Sequence, residues 1–364
     1  MDLTKSRLAI FGFSLSTTAP LVLASLHESI LVTLPTVFLT LPLALIVYAY
    51  VNTYWGPDGL FHYTRVVSTR LGSIQLYSWL LSYFLYIVYT VDYVDYMVLK
   101  LPNSVANALT IILPILFSTL VVIELSYLTL FILSVAQIIL ALPIPQLGWI
   151  ESIATVGPAP HYLFTNILSS SLLIVCITLI PYANGYTSLS KYVLYAFVSS
   201  SVLMIIGGFF KASFILSQLT SLGYVGLIIA EYTALYNLLH HGLGIRRIRL
   251  MIPALVILLD AVSLINYNEF YNITIVPSVA ALYLTLLISF SVSWIYLSRS
   301  GFFNKRRGVM KFTYLMLSIV SSLIMVYGIY TVLAQSSGVA LYEVIAALVI
   351  PIALGLMLPL RAHN

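Results

Sequence analysis

Charge is what this sequence has least of. Asp, Glu, Lys and Arg make up 7% of its 364 residues against 61% hydrophobic residues, and the mean hydropathy is +1.05. So few charges cannot cover the surface of a soluble domain of this length. Cysteine is nearly missing too: Cys176 stands alone in an apolar run, which excludes a disulfide framework and a cysteine-based metal site. The apolar runs are continuous rather than alternating over about ten residues, so an outer-membrane barrel is excluded and helices remain. Glycine-rich phosphate loops, nucleophile signatures and zinc-ligand spacings are absent, and no catalytic residue, metal site or cofactor is expected. The basic opening Met1–Arg7 does not begin a signal peptide, because the following run contains Pro20, lacks a small-residue cleavage site and leads straight into further spans.

What is present is a series of long, almost uncharged runs. About 30 residues per span and connection gives about twelve passes. They fall at Leu8–Leu26, Ile30–Val51, Leu71–Val91, Ala106–Ile123, Tyr127–Ile144, Tyr162–Leu189, Tyr192–Phe210, Ser213–Leu239, Leu250–Ile265, Tyr271–Leu297, Phe312–Leu333 and Leu341–Leu360. Lys and Arg collect in loops that stay in the cytoplasm. With both termini inside, fourteen of the sixteen basic residues fall on that side, and only Lys100 and Lys211 fall outside. The net charge of +5 therefore reads as membrane orientation, not nucleic-acid binding. The expectation is an all-α integral protein of the cell membrane with twelve transmembrane helices, in contact with the lipid bilayer. All loops are short, so no soluble domain is inserted.

Two spans carry interruptions. The first has Ser14, Ser16, Thr17, Thr18, Ala19 and Pro20 in its middle, and the sixth has Pro181, Tyr182, Ala183, Asn184, Gly185 and Tyr186. A proline removes a backbone donor, and small polar neighbours re-satisfy the freed carbonyls. Discontinuous helices in corresponding places of two repeats point to a transporter site at mid-membrane. Five spans separate the two stretches, as two inverted five-helix repeats require. This organises the chain into spans one to five (residues 1–144), an external loop (145–161), spans six to ten (162–300) and two peripheral spans (301–364). Proline and serine kinks also occur in membrane helices without any such role.

The stretch Gly12-Phe13-Ser14-Leu15-Ser16-Thr17-Thr18-Ala19-Pro20 resembles the first span of amino acid permeases of the amino acid, polyamine and organocation transporter superfamily. Gly59-Leu60-Phe61-His62-Tyr63, then Leu71-Gly72, Trp79 and Tyr83, is similar to that family's first loop and third span, although Asp58 replaces a usual glycine. Tyr182-Ala183-Asn184-Gly185-Tyr186 looks like its broken sixth span, and Tyr236 to Gly242 like the end of its eighth. The resemblance implies the leucine-transporter-like fold and a secondary active transporter of amino acids or related organic cations. It works by alternating access, with spans one, two, six and seven rocking against the rest.

It also implies a site. Backbone N–H groups near Thr18 and Ala19 would receive a carboxylate. Carbonyls from Ser14 to Thr17, with Ser16 among them, and those of Tyr182 and Ala183 would meet an ammonium. Asn184 would add an amide, Gly185 room, and Tyr83, with Tyr86 and Tyr89, one wall. Na+ is one candidate for the coupling ion, held by hydroxyls of Ser217, Thr220 and Ser221. H+ is the other, through Asp260, an acid placed mid-span; Glu231 reads as an inner ion-pair residue and Asp92 and Asp95 as vestibule or headgroup contacts. Span five has no Lys to substitute for a cation. The rival class is a non-transporting membrane-embedded enzyme or a structural subunit of a membrane complex. Transport places the two interruptions face to face at mid-depth; the rival leaves them apart.

Overall fold

The structure, a computed structural model, describes residues 6–142, 163–209, 214–245, 247–304 and 308–359. All regular structure among them is helical. In chain order the helices are α1 (Arg7–Ser16), α2 (Pro20–Ser25), α3 (Ile30–Thr53), α4 (Gly59–Val67), α5 (Thr69–Asp92), α6 (Asn103–Val122), α7 (Ser126–Ala141) and α8 (Leu163–Val175). Then come α9 (Lys191–Gly207), α10 (Phe214–Leu219), α11 (Ser221–Tyr236), α12 (Ile248–Ser263), α13 (Tyr267–Ser291), α14 (Ser293–Arg299), α15 (Gly308–Gln335) and α16 (Val339–Met357).

Ten stretches among the described residues are long and apolar enough to cross a bilayer. The other two of the twelve expected spans, five and nine, are the 16-residue helices α7 and α12. At 1.5 Å per residue each is about 24 Å long, short of the ~30 Å core. Helix α7 starts only after a turn with left-handed Glu124 (φ 61°), and its expected continuation to Ile144 lies outside the described residues, as does the expected loop 145–161. Helix α12 stops at Ser263 because Asn266 already caps α13.

Burial ranks the spans. Arg7–Ser25 and Ser217–Gly242 have 83% of their apolar stretch buried, whereas Gly308–Gln335 and Val339–Met357 have 22%. Spans one and eight therefore form the centre, and the last two spans the periphery. Helices α1 and α2 pack on α7 and α9, and α3 packs on α8 and α9. A second group joins α5, α13, α15 and α16, with α11 between α5, α6 and α7. The two halves of the chain also share irregularities. Helix α5 ends in a π-helical turn at Tyr93–Val98 and α11 in another at Asn237–Gly242, while the short helices α4 and α10 precede them.

Candidate functional site

Span one breaks where the sequence places the break. Helix α1 stops at Ser16, Ala19 takes a left-handed conformation (φ 40°), and α2 starts at Pro20. A left-handed alanine costs about 1–2 kcal/mol, so the surrounding packing must hold it. Thr17, Thr18 and Ala19 are fully buried. The freed carbonyls are met locally: Thr17 Oγ1 donates to the Ser14 carbonyl at 2.8 Å and Thr18 Oγ1 to that of Leu15 at 2.9 Å. The Thr18 and Ala19 N–H groups donate to the carbonyls of Leu15 and Ser16 at 3.2 and 3.1 Å. The very donors expected to receive a substrate carboxylate are thus engaged inside the chain. Side-chain bonds fix the break to its neighbours, Ser16 Oγ to the Leu130 carbonyl on α7 (3.2 Å) and Thr18 Oγ1 with Ser200 Oγ on α9 (2.5 Å).

Span six differs from expectation. Its winding changes at Val175, where α8 gives way to a 3-10 helix over Cys176–Ala183. The run Ile177, Thr178, Ile180 and Pro181 explains the tightening, since β-branched side chains crowd the α-helical turn and Pro181 donates no hydrogen bond. Eight residues of 3-10 helix are uncommon and mark a hinge. The left-handed residue, Asn184 (φ 50°), comes only after this segment. The carbonyls of Tyr182 and Ala183 accept hydrogen bonds from Asn237 Nδ2 (2.8 Å) and Tyr127 OH (2.8 Å), and Asn237 Nδ2 also donates to Tyr127 OH (2.9 Å). Trp55 Nε1 donates to the Ile180 carbonyl at 3.1 Å. A Cβ on Gly185 would sit 2.8 Å from the Trp55 ring. Ala183, Asn184 and Gly185 therefore lie at the end of the span, beside the start of α7, the π-turn of α11 and the loop after α3. That is also the end that carries Arg65, Arg249 and Arg299, referred to below as the basic end. The 3-10 segment that leads to them packs against α1. Pro181 tightens the helix rather than opening it, so the reversal at Asn184 comes only past the proline.

Two predicted residues, Tyr83 and Tyr182, meet around Trp79. Its ring lies 4.8 Å from that of Tyr83 and 4.5 Å from that of Tyr182, and Tyr83 OH lies 3.4 Å from Thr178 Oγ1. Of the expected hydroxyls of span eight, that of Thr220 is used locally. Thr220 Oγ1 donates to the carbonyl of Ser217 in its own turn (2.6 Å), whereas the residues of α11 that face the break are Gly223 and Gly226. A Cβ on Gly226 would lie 2.9 Å from Gln137 Nε2 and 3.6 Å from Ser16 Oγ. Gln137 of span five is buried with neither amide atom bonded, so a neutral amide stands beside the break where span five has no Lys. A neutral side chain gives no charge signal in the sequence.

Asp260 is buried with both oxygens unpartnered, but it belongs to another cluster. Ser263 Oγ donates to Asp92 Oδ1 at 3.0 Å, and Thr110 Oγ1 lies 3.4 Å from carboxyl oxygens of both Asp92 and Asp95. Asp92 and Asp95 are fully buried, not exposed to a vestibule or headgroups. Among the described residues no group of three or more His, Cys, Asp or Glu side chains is placed to hold a metal ion.

Similar architecture occurs in solved structures of the manganese transporter of Eremococcus coleocola. A mutant of that protein matches with TM-score 0.59 at 14% identity, covering 96% of this chain and 91% of the other. The same transporter in complex with an aromatic bis-isothiourea substituted compound matches with TM-score 0.57 at 14% identity and the same coverage. The chain shares its fold with a transporter. Those structures are not of an enzyme, in line with the lack of catalytic signatures. No protein-family model matches the chain, and no curated protein matches it in sequence. The likeness extends over nearly the whole chain.

The loop between α3 and α5 clamps the basic end. Tyr54 OH donates to Asp58 Oδ1 at 2.9 Å, and His62 Nδ1 and Arg65 Nη2 lie 3.2 and 3.4 Å from Asp58 Oδ2. Gly59 takes a positive φ of 49° against the Tyr182 ring, where any side chain would collide. Burial alone would raise the Asp58 pKa, but the hydrogen bond and charge of His62 and the Tyr54 hydroxyl outweigh it and hold the carboxyl below its usual range. A carboxyl with a depressed folded pKa stabilises the fold above its unfolded pKa, and loses that contribution as pH falls through the folded value. Asp58→Asn should cost about 1–3 kcal/mol at pH 7. In thermal melts the gap to wild type should close below about pH 4; an equal gap at pH 3 and pH 7 would contradict this.

Proposed function

We propose that the chain is a secondary active transporter of amino acids or related organic cations. It works by alternating access, with the cargo held where span one unwinds. The observation that carries this reading is the enclosed interruption Thr17–Ala19, held in a costly conformation at the junction of α7, α9 and α11, in a fold shared with a transporter. The packing of spans one, two, six and seven on one another suits a bundle that rocks against a scaffold. The 3-10 segment of span six and the paired π-turns supply its hinges. Matched irregularities in the two halves support an inverted repeat. The molecule would lie in the cell membrane with its basic end and both termini toward the cytoplasm.

A divalent metal suits the interruption less well. Hydroxyls and one amide surround it, and among the described residues no group of three or more His, Cys, Asp or Glu gathers there. Thr220 spends its hydroxyl on its own turn, and buried unpartnered acids stand within the spans, so H+ is the better coupling ion than Na+. A membrane enzyme or structural subunit draws no support from the matched fold. Uptake and counterflow in proteoliposomes decide the matter, with a panel of amino acids and alkyl amines and with Na+ and proton gradients imposed separately. Gradient-driven or exchange flux of at least one solute is the expected result. Flux no greater than in protein-free liposomes for every solute sinks the reading.

A further inference from the structure

The most deeply buried acid in the central span has no partner. Glu231 is fully buried, and neither of its carboxyl oxygens makes a hydrogen bond. It is the fifteenth of the 26 residues of Ser217–Gly242, five residues from the Gly226 that faces Ser16. Among the described residues the only ion pairs are those of Asp58 with His62 and Arg65, so the inner ion pair expected for Glu231 does not form.

What surrounds Glu231 is aromatic. The hydroxyls of Tyr83, Tyr86 and Tyr89 and the Cys176 thiol lie within Coulombic reach of its carboxyl. Helix α5 also carries Arg70 at its start, Tyr77, and Asp92 at its end, and α11 itself Tyr232 and Tyr236; the titratable groups on the other elements packed against α11 are Tyr127 of α7, Tyr182 of the 3-10 segment, Tyr93, Asp95 and Tyr96 of the first π-turn and His240 and His241 of the second. Helices α2 and α6 bring none, and α1 brings only Arg7 at its start. No cation reaches the acid.

Spacings of three, three and four residues put Tyr83, Tyr86, Tyr89 and Tyr93 on one face of span three. Ring contacts continue outward, Tyr86 to Tyr89 (4.8 Å), Tyr89 to Tyr271 (5.7 Å), Tyr271 to Tyr93 (5.8 Å) and Tyr93 to Tyr224 (5.3 Å). Tyr224 stands two turns from Glu231 on the same face of α11. Tyr86, Tyr93, Tyr224 and Tyr271 are partly exposed, and the ladder runs from mid-span to the end opposite the basic one.

We infer that Glu231 is the charge partner of a cationic amine cargo, which travels to it along the tyrosine faces. The inference rests on the transport reading and narrows its cargo to solutes with net positive charge. A buried carboxyl without donors needs either a proton or a cation beside it, and tyrosine faces attract ammonium groups within about 6 Å. Arrival of the amine breaks the carboxyl O–H bond, the proton leaves to water, and a carboxylate–ammonium pair remains. No other bond changes. One cation in and one proton out is an exchange that needs no Na+ site.

The test uses the full-length purified protein with n-butylammonium, choline and L-leucine as probes. Either cation should raise the melting temperature of the wild type and release about one proton per cation bound, read with a pH dye in weak buffer. Glu231→Gln, a neutral isostere, should keep the fold and melt no lower than wild type, yet lose both responses. Tyr86→Phe should bind as wild type does, and Tyr86→Leu about tenfold more weakly. Equal stabilisation of Glu231→Gln and wild type by a cation, or binding with no proton released, overturns the inference. So does stabilisation by L-leucine alone, which leaves the transport reading intact. No stabilisation and no flux with any solute removes both.

Discussion

Replacing Asn237 by leucine should lower the melting temperature by about 5–10 °C and loosen the basic end of span six without disturbing span one. The Asn237 amide donates both to the Tyr182 carbonyl and to Tyr127 OH, and Tyr127 passes a hydrogen bond on to the Ala183 carbonyl. All of these groups are buried. Leucine keeps the volume but removes both donors, which leaves the Tyr182 carbonyl dry and unpaired. Each buried polar group so orphaned costs about 1–3 kcal/mol, giving roughly 2–4 kcal/mol in all. Tyr127→Phe removes the donor to the Ala183 carbonyl and the acceptor of one Asn237 bond but leaves Asn237 bonded to the Tyr182 carbonyl, and should cost about half as much. In a double-mutant cycle the two changes should couple, because they cut one network. Backbone amides from Leu179 to Gly185 should exchange with deuterated solvent at least tenfold faster in Asn237→Leu, while those of α2 keep their rates. Unchanged exchange in that segment would show that the network does not hold it.

The same network suggests why span six ends as it does. A 3-10 segment satisfies its carbonyls poorly, so three outside donors, Asn237, Tyr127 and Trp55, stand at its last turns. They come from three different parts of the chain. In the proposed alternating access, opening toward the basic end would require their release together, and about 2–4 kcal/mol is enough to keep such an open form to a few per cent or less.

How far the sequence discloses this arrangement depends on the kind of signal. The spans are legible because hydropathy is additive along the chain. Only α7 and α12 fall short, and their ends depend on a left-handed Glu124 and on a cap at Asn266, which hydropathy does not register. The break in span one is legible because Ser, Thr and Pro act on their own backbone. Pro181 misleads for the same reason: its local effect is real, but whether a proline opens a helix or winds it tighter is decided by partners such as Trp55 and Asn237, far away in sequence. Gln137 and Glu231 were out of reach as a pair of isolated residues. Their meaning comes from neighbours they lack, and a missing partner is a property of three-dimensional packing.

Glycine at position 207 should tolerate no side chain at all. A Cβ there would overlap the carbonyl group of Ala24, where α2 crosses the end of α9. Gly208 is similar, its Cβ falling 2.5 Å from the Glu28 carbonyl oxygen, and a Cβ on Gly223 of α11 would lie 2.6 Å from Val22. The outer half of span one is therefore gripped on two sides by glycines, the close backbone approach that stabilises helix pairs in lipid, where apolar burial adds nothing. A clash with backbone cannot be relieved by a rotamer change. Gly207→Val must push α2 away from α9, straining the Thr18–Ser200 contact and the left-handed Ala19 that depends on it. We expect a cost of about 3–5 kcal/mol, seen as a fall of 10 °C or more in melting temperature or a collapse in folded yield. Gly207→Ala should show at least half that effect. Gly308→Ala is the control, since open space surrounds that position, and it should melt as wild type does. Should Gly207→Val fold and melt like the control, α2 is not held by α9, and the enclosure of the span-one break must be explained by some other contact.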